Sequence, residues 1–301
     1  MSTRDGSAVQ ALQQGFRSRA ELALRTVTLR VPQARLFGPY SFLMHPEAPT
    51  HPARANVYLL ERLVEGLTAG GETVLDPMAG TGSTGVVAAM MGRDAVVMDI
   101  EPRYHQFMQH AARRVEALGL SWTGEVHVVL GDARRAHELL AEMGLPRPDT
   151  IITSPPYPGV KLAAGDPARR LERLLRAGHD PKRYLSRFRA AVRGDYPMSP
   201  DNIARLRGES YWDAMRQVYA SARELVRPGG SIAVIVRARV RGGAIVDVPE
   251  LTRLALIDAG WRPFLCLRVP LSSPSIWHHI RRRRSPGYPV VDAEHVIVAR
   301  A

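Results

Sequence analysis

The sequence predicts an α/β protein built on a doubly wound, mostly parallel sheet, and three observations support this. Short apolar runs typical of buried strands alternate with helical segments from residue 73 to residue 153. The alternation stops over a charged stretch and resumes after residue 210. Polar turns follow the first four predicted strands, at the sheet edge where open α/β folds bind ligands.

Apolar periodicity and the positions of glycine and proline define the individual elements. They predict an amphipathic helix at 8–26, an irregular loop at 37–52 and a helix from residue 53 to Gly70. Strands follow at 73–76, 95–99, 125–130 and 150–153, alternating with helices at 83–91, 103–119 and 136–143. After the charged stretch, the pattern predicts a helix at 211–226, a strand at 231–236, a helix at 248–259 and closing strands at 261–269 and 295–299.

These elements divide the chain into four parts. We predict an N-terminal extension and loop at 1–52, the first half of the sheet domain at 53–158, a basic insert at 159–210 and the remainder of the domain at 211–301. Residues 159–209 contain 12 cations and 6 anions, so this stretch carries half of the net charge of +12. An apolar stripe at helical spacing predicts that the insert is a small helical element rather than a linker; its members are Tyr184, Leu185, Phe188 and Val192.

The composition indicates a globular protein that binds polyanions. Hydrophobic residues make up 45% of the chain, and the pI is about 10.6, which favours nucleic acid as a partner. No apolar run approaches the ~20 residues of a membrane span, and the N-terminus lacks a signal pattern, so a cytoplasmic location is expected. The one cysteine, Cys266, excludes an internal disulfide and a cysteine-based metal site. Its Leu-Cys-Leu context predicts a buried strand residue, unlike the nucleophile of carbon-5 cytosine methylation.

Two motifs suggest the chemistry. The first is the strand-to-helix turn Asp76-Pro77-Met78-Ala79-Gly80-Thr81-Gly82, in which glycine lets the backbone approach a ligand closely. The second is Ser154-Pro155-Pro156-Tyr157, directly after the fourth predicted strand. Asp99 ends the second predicted strand, and Asp132 follows the third. Because the carboxyl ends of parallel strands meet at one edge, all of these residues are expected to lie together.

Together the two motifs resemble the signature motifs of S-adenosylmethionine-dependent amino-methyltransferases, and Ser-Pro-Pro-Tyr is most similar to the DNA N4-cytosine branch. The resemblance covers about 51–160 and, more loosely, 211–300; the run His51-Pro52-Ala53-Arg54 and the closing strand also resemble family segments. It implies a class I, Rossmann-like methyltransferase fold and S-adenosylmethionine as cofactor. The residues that it implies for cofactor binding are Asp76, Pro77, Met78, Ala79, Gly80, Gly82, Asp99 and Asp132.

The resemblance also assigns a role to each acid. Asp76 is expected to accept from the cofactor's ammonium group, Asp99 from both ribose hydroxyls and Asp132 from the adenine amino group. Met78 departs from the family pattern, because many relatives carry phenylalanine there. A flexible, polarizable methionine fills similar space, so the departure bears on packing and not on the cofactor class.

The proline-rich turn suits transfer of a methyl group to an exocyclic amino group, whose lone pair is delocalised into the base. The Ser154 hydroxyl and the Pro155 carbonyl are the expected acceptors that draw this lone pair out of conjugation. Pro155 and Pro156 restrict the backbone and remove competing N–H donors. Tyr157 offers a ring face for a base extruded from the duplex. Neither a covalent intermediate nor a metal is required.

Contacts to DNA phosphates are expected from two arginine clusters, and such binding weakens steeply with salt. They comprise Arg183, Arg187 and Arg189 of the insert and the run Arg281, Arg282, Arg283 and Arg284 between the closing strands. The alternatives are a methyltransferase acting on rRNA or tRNA, N6-adenine specificity, and a catalytically silent nucleic-acid-binding subunit. RNA relatives more often carry Asp or Asn in place of Ser154, which disfavours the first. An endonuclease partner is compatible with the sequence, and the recognition sequence and oligomeric state are open.

Overall fold

The computed structural model describes residues 24–51, 54–158, 199–241, 243–271 and 287–301. Its strands are β1 Arg25–Thr28, β2 Thr73–Asp76, β3 Asp94–Asp99, β4 Val126–Leu130, β5 Thr150–Thr153, β6 Ser231–Val236, β7 Arg239–Arg241, β8 Ala244–Val246, β9 Arg262–Pro270 and β10 Ala293–Arg300. The helices are α1 Val57–Leu67, α2 Ser83–Met90, α3 Pro102–Glu116, α4 Ala136–Glu142, α5 Glu209–Leu225 and α6 Val248–Asp258.

Eight of these strands form one sheet in the order β1-β9-β10-β6-β5-β2-β3-β4, while β7 and β8 form a separate hairpin. Strand β10 runs antiparallel to β6 and β9, and the remaining pairs in the sheet are parallel. After the edge strand β1, the chain enters the middle of the sheet at β2, proceeds outward to β4, and returns to β5 on the other side of β2. The predicted doubly wound, mostly parallel sheet of the Rossmann-like class is therefore confirmed, and the switch in strand order lies between β2 and β5.

A hydrophobic core covers each face of the sheet. Helices α1, α2 and α3 pack on one face, and α4, α5 and α6 pack on the other. Successive strand residues point to opposite faces, so Val74 of β2 joins the first core while Leu75 joins the second. This arrangement leaves the carboxyl ends of the strands as the edge where polar turns collect.

Local sequence signals explain where the helices begin. The Asn56 side chain accepts a hydrogen bond from the N–H of Tyr58 at 3.1 Å and so caps α1. Asp247 caps α6 in the same way through the N–H of Glu250, also at 3.1 Å. Helix α3 begins with Pro102, whose missing N–H costs nothing in a first helical turn.

Most predicted elements match the structure within a few residues, and β2, β5 and β6 match fully. The prediction of a helix at 8–26 is wrong at its end, because β1 pairs in parallel with β9 over Arg25–Thr28. Residues 8–23 lie outside the described ranges. The β7–β8 hairpin was not predicted, and the predicted loop at 37–52 contributes the buried Phe37 and Leu43 to the core. Cys266 lies buried in β9, as expected.

Candidate cofactor and target site

A cavity of about 320 Å³ lies at the carboxyl edge of the sheet, where β2, β3 and β5 end. Its volume falls in the range of roughly 300–1,000 Å³ that is usual for small-molecule sites. The structure brings together in its lining nearly all described residues that the sequence predicted for cofactor and target: Asp76, Pro77, Met78, Ala79, Gly80, Asp99, Asp132, Ser154, Pro155, Pro156 and Tyr157. Gly82 is not part of the lining and lies at the start of α2.

Asp76 is the last residue of β2, and only 4% of it is exposed. Its Oδ2 accepts a hydrogen bond from the Thr84 hydroxyl at 2.7 Å, and its Oδ1 accepts from the N–H of Met78 at 3.2 Å. Burial raises the pKa of Asp76 to about 6, and these hydrogen bonds offset part of the rise. A cationic ligand group beside Asp76 would restore the charged form.

Two glycines of the turn after Asp76 have left-handed backbone conformations. Gly80 has a φ of +54°, and a Cβ at this position would lie 3.1 Å from His51 Nε2. Gly82 has a φ of +81° immediately before α2, and a Cβ there would lie 3.0 Å from Cγ of Met108. Both glycines thus meet a conformational and a spatial demand that an L side chain meets only with strain.

Asp99 ends β3 beside this turn. Its Oδ2 accepts from the N–H of Gly80 and its Oδ1 from the N–H of Glu101, both at 2.9 Å. The side chain lines the cavity, yet the protein packed around it raises the pKa of Asp99 to about 7 through desolvation. The two backbone donors lower that pKa in part, and each carboxylate oxygen retains capacity for a further donor.

Asp132 differs from the other two acids because it already has a cationic partner. Both of its oxygens accept from the Arg134 guanidinium, with Nε at 3.0 Å from Oδ1 and 2.9 Å from Oδ2, and Nη2 is in close contact with Oδ2. Oδ1 also accepts from the N–H of Arg134 at 2.9 Å. Asp132 therefore borders the cavity as a neutralised pair, whereas the sequence had suggested a carboxylate available to the ligand.

The proline-rich turn leaves β5 at Thr153 and enters the same cavity. The Tyr211 hydroxyl donates to the Pro156 carbonyl at 2.8 Å and fixes the turn from α5. The Arg239 guanidinium lies 5.4 Å from the centroid of the Tyr157 ring and donates to the Pro158 carbonyl at 2.8 Å. Ser154 and Pro155 line the same cavity.

Several residues of the site were missed by sequence reasoning. Tyr211 reaches a carbonyl 55 positions away, and no local pattern reports such a contact. Arg237 lines the cavity from just beyond β6, which pairs with β5 in parallel. Glu101, two residues after the end of β3, was given no role by sequence reasoning. The sequence did contain a signal for Glu101, because an acid two residues after the end of a parallel strand lies near the carboxyl edge of the sheet.

The arginine clusters predicted to contact DNA lie outside the described residues, so their roles stay predictions. They are Arg183, Arg187, Arg189, Arg281, Arg282, Arg283 and Arg284. Over the described ranges, no cluster of His, Cys, Asp and Glu suitable for a metal ion is found. No helix in that part of the chain has the length and apolar character needed to cross a membrane.

The fold and the cavity together define a class of site. The buried Asp76 and the half-buried Asp99, at the ends of neighbouring strands, adjoin the switch point of a doubly wound sheet, together with a glycine turn that leads into a helix. Open α/β sheets bind nucleotide-type ligands at this place. The proline-rich turn adds hydrogen-bond acceptors beside that ligand position.

Comparison with known proteins identifies relatives of one part of the chain. The family model for N6/N4 methyltransferases, described as DNA methylase, matches residues 34–110. Type II methyltransferase M2.DpnII of Streptococcus pneumoniae is 41% identical over 70 residues, which are 23% of this chain and 25% of that protein. Type II methyltransferase M2.LlaDCHI of Lactococcus lactis subsp. cremoris is 34% identical over 73 residues, 24% of this chain and 27% of that protein.

The aligned part spans about a quarter of the length of these relatives. For that part, the matches confirm the resemblance to S-adenosylmethionine-dependent DNA amino-methyltransferases, and with it the expected cofactor class. They do not distinguish the N4-cytosine from the N6-adenine branch. The matched residues 34–110 include Asp76 and Asp99 and end before Ser154.

Solved structures with a similar outline include two methyltransferases. TrmN from Thermus thermophilus superimposes with a TM-score of 0.45 at 17% identity, over 85% of this chain and 52% of that one. Precorrin-6y C5,15-methyltransferase from Geobacter metallireducens superimposes with a TM-score of 0.46 at 11% identity, over 89% of this chain and 98% of that one.

Proposed function

We propose that this protein transfers a methyl group from S-adenosylmethionine to the exocyclic N4 of cytosine in DNA. One observation carries the proposal: the Ser154–Tyr157 turn and the acids Asp76 and Asp99 line a single cavity. An amino-group acceptor and a cofactor site must adjoin for direct transfer, and here they do. The description of the matching family as DNA methylase supports DNA as the substrate.

The residues of the cavity fit S-adenosylmethionine. Asp76 would hold the ammonium group, Asp99 the ribose hydroxyls, and the backbone between Ala79 and Gly82 the amino-acid end near the start of α2. The Asp132–Arg134 pair would border the adenine. When bound, this cofactor supplies an electrophilic methyl group.

The turn residues act on the amino group of the target base. The Ser154 hydroxyl and the Pro155 carbonyl accept hydrogen bonds from its two N–H groups, which turns the nitrogen lone pair out of conjugation with the ring. Once methylated, the nitrogen loses one proton to solvent. The Tyr211 hydroxyl and Arg239 keep the turn in place through the Pro156 and Pro158 carbonyls. Tyr157, backed by the Arg239 guanidinium, provides the ring face on which the base stacks. The barrier to methyl transfer is lowered because the preformed site orients the amino group and the methyl donor.

Arg237 supports cytosine over adenine as the target. It lines the cavity beside Tyr157, and an arginine fork presents two donors in fixed geometry. Next to its amino group, cytosine carries two acceptors in a row, N3 and O2. Adenine carries only N1 there, followed by a C–H. A bidentate pair with Arg237 is therefore available to cytosine alone, whereas N6-adenine methylation would leave one donor unused.

Substitutions in the turn test the assignment by separating turnover from cofactor binding. Ser154→Ala should leave the affinity for S-adenosylhomocysteine unchanged in calorimetry. Its turnover should fall on the order of tenfold or more, because one acceptor is lost in the transition state. Tyr157→Ala should behave alike through loss of stacking.

The exposed Ser41, whose hydroxyl bonds the Gly38 carbonyl away from the cavity, provides the matched control Ser41→Ala. Full turnover in both turn variants would reject this site for the target base. Loss of affinity for S-adenosylhomocysteine in Ser154→Ala would instead show that the turn belongs to the cofactor site.

A further inference from the structure

A short segment in the last part of the basic insert lies along the cavity. Residues Ser199 to Arg205, here called the clasp, end in a 3-10 helix at Ile203–Arg205, which Asn202 caps by accepting from the N–H of Ala204 at 2.9 Å. Ile203 and Ala204 are buried. The clasp residues that line the cavity are Asp201, Asn202, Ile203 and Ala204.

Glu101, which lies 98 positions before Ser199 in the sequence, accepts hydrogen bonds from this clasp. It is only 2% exposed, and its Oε1 accepts from the N–H of Ser199 at 2.8 Å and from the Asn202 side-chain amide. Its Oε2 accepts from the Ser199 hydroxyl at 3.2 Å. Among the described residues, the donors to this carboxylate are the Ser199 N–H and hydroxyl and the Asn202 amide, all from the clasp.

A second contact fixes the clasp over a particular end of the cavity. The Arg134 guanidinium, paired with Asp132, donates to the Asp201 carbonyl at 3.1 Å. On the other side, the N–H of Glu101 donates to Asp99. The clasp is therefore attached next to both acids at the ends of β3 and β4, where the nucleoside part of the cofactor would lie.

We propose that Glu101 is a positioning residue that holds the clasp as the outer wall of the nucleoside end of the cofactor site. The proposal rests on the proposed function for the identity of the ligand, a nucleoside-bearing cofactor such as S-adenosylmethionine or its product. Glu101 itself acts through the clasp, since its carboxylate oxygens are engaged by Ser199 and Asn202.

Hydrogen-bond satisfaction explains how Glu101 keeps the clasp in place. Within the described ranges, Glu101 forms no ion pair, so its charge is satisfied by hydrogen bonds from the clasp. A clasp displaced from the cavity would leave a buried carboxylate without donors, which is strongly unfavourable. The clasp is thereby kept in place before any ligand binds, and the ordering cost of binding falls.

Titration calorimetry of the full chain with S-adenosylhomocysteine tests the proposal. Glu101→Ala should weaken binding on the order of tenfold, because the wall is no longer held. Glu101→Gln should restore affinity to within about twofold, since its amide oxygen still accepts from Ser199 and Asn202. The control is Glu65→Ala, at an exposed glutamate that pairs with Arg62. Unchanged affinity in a folded Glu101→Ala protein would overturn the proposal.

Hydrogen exchange separates failure of this inference from failure of the proposed function. The Ser199 amide should exchange slowly in the parent and in Glu101→Gln, and markedly faster in Asn202→Ala and Glu101→Ala, with or without ligand. Asn202→Ala keeps the buried acid and so covers the case in which Glu101→Ala does not fold. If the parent does not bind S-adenosylhomocysteine but the exchange pattern holds, only the proposed function fails. Equal Ser199 exchange in all four proteins would refute the role of Glu101.

Discussion

In the unliganded protein, desolvation disfavours the charged forms of the cavity residues Asp76 and Asp99. Desolvation raises the pKa of Asp99 to about 7 and that of Asp76 to about 6. At neutral pH both sites are therefore close to their titration range, and ligand donors that approach them favour the charged form. Part of the free energy of cofactor binding would come from this relief.

A pH prediction follows for the unliganded protein. The pKa of Asp99 is higher in the folded than in the unfolded state, so the folded state binds more protons between pH 4 and 7, and stability falls as pH rises through this window. Asp99→Asn cannot ionise. Its free energy of unfolding relative to the parent should therefore increase by roughly 1–2 kcal/mol from pH 5.5 to pH 8.

Urea unfolding of both proteins at the two pH values measures this difference, and any constant effect of the amide cancels. Parallel stability curves for the parent and Asp99→Asn would show that the carboxylate is not desolvated as described.

Arg237 is predicted to determine base preference. Arg237→Ala should lower kcat/KM on cytosine-containing DNA by roughly tenfold to a hundredfold, the usual range for a bidentate base contact. The effect should be mainly on KM, with affinity for S-adenosylhomocysteine unchanged. Arg241→Ala, an exposed arginine of β7, removes the same charge without touching the cavity and serves as control. Identical kcat/KM values in the two variants would argue against a base contact.

At the scale of single residues, the sequence predicted the residues that stand in recognisable motifs. Asp76, Asp99 and Ser154 each follow a predicted strand, and parallel topology brings such positions together without further information. It missed the role of Tyr211, and it did not foresee that Asp132 is paired, although Arg134 stands two residues away. Such contacts depend on rotamers and on packing between distant elements, which local patterns do not encode.

The unit formed by β2, the glycine turn and α2 combines stability with ligand access. Gly82→Ala should destabilise the fold by more than the roughly 1–2 kcal/mol of a left-handed backbone, because its Cβ would meet Met108 at 3.0 Å. Gly119→Ala is the matched control, with a φ of +60° and no atom within 4 Å of the added carbon. Chemical denaturation should rank Gly82→Ala as the less stable variant. A larger loss for Gly119→Ala would contradict the packing described here.

At the scale of elements, the alternation of strand and helix was readable because each parallel strand is buried and each helix has one apolar face. Strand β1 could not be predicted from the sequence, because Arg25–Thr28 is short and its pairing partner β9 lies more than 230 positions away. The β7–β8 hairpin is built from three-residue strands, too short to show an alternating pattern. Long-range pairing and short length are thus the two limits on the prediction.

The whole molecule combines a cofactor-type cavity with a strong positive charge. Half of the net charge of +12 belongs to residues 159–209, which follow the Ser154–Tyr157 turn directly in the chain. A base inside a duplex must be extruded to reach such a cavity, and basic residues that neutralise phosphates nearby would stabilise that state. The placement of this charge in the sequence therefore agrees with a DNA substrate.

Mass spectrometry of nucleosides is the most direct test of the proposed function. The full chain would be incubated with S-adenosylmethionine and either duplex DNA or RNA of mixed sequence, beside Ser154→Ala as a parallel sample. We expect N4-methylcytosine in the DNA treated with the parent protein and a strongly reduced amount with the variant. N6-methyladenine without N4-methylcytosine, methylation confined to RNA, or no methylated base in any sample would contradict the assignment.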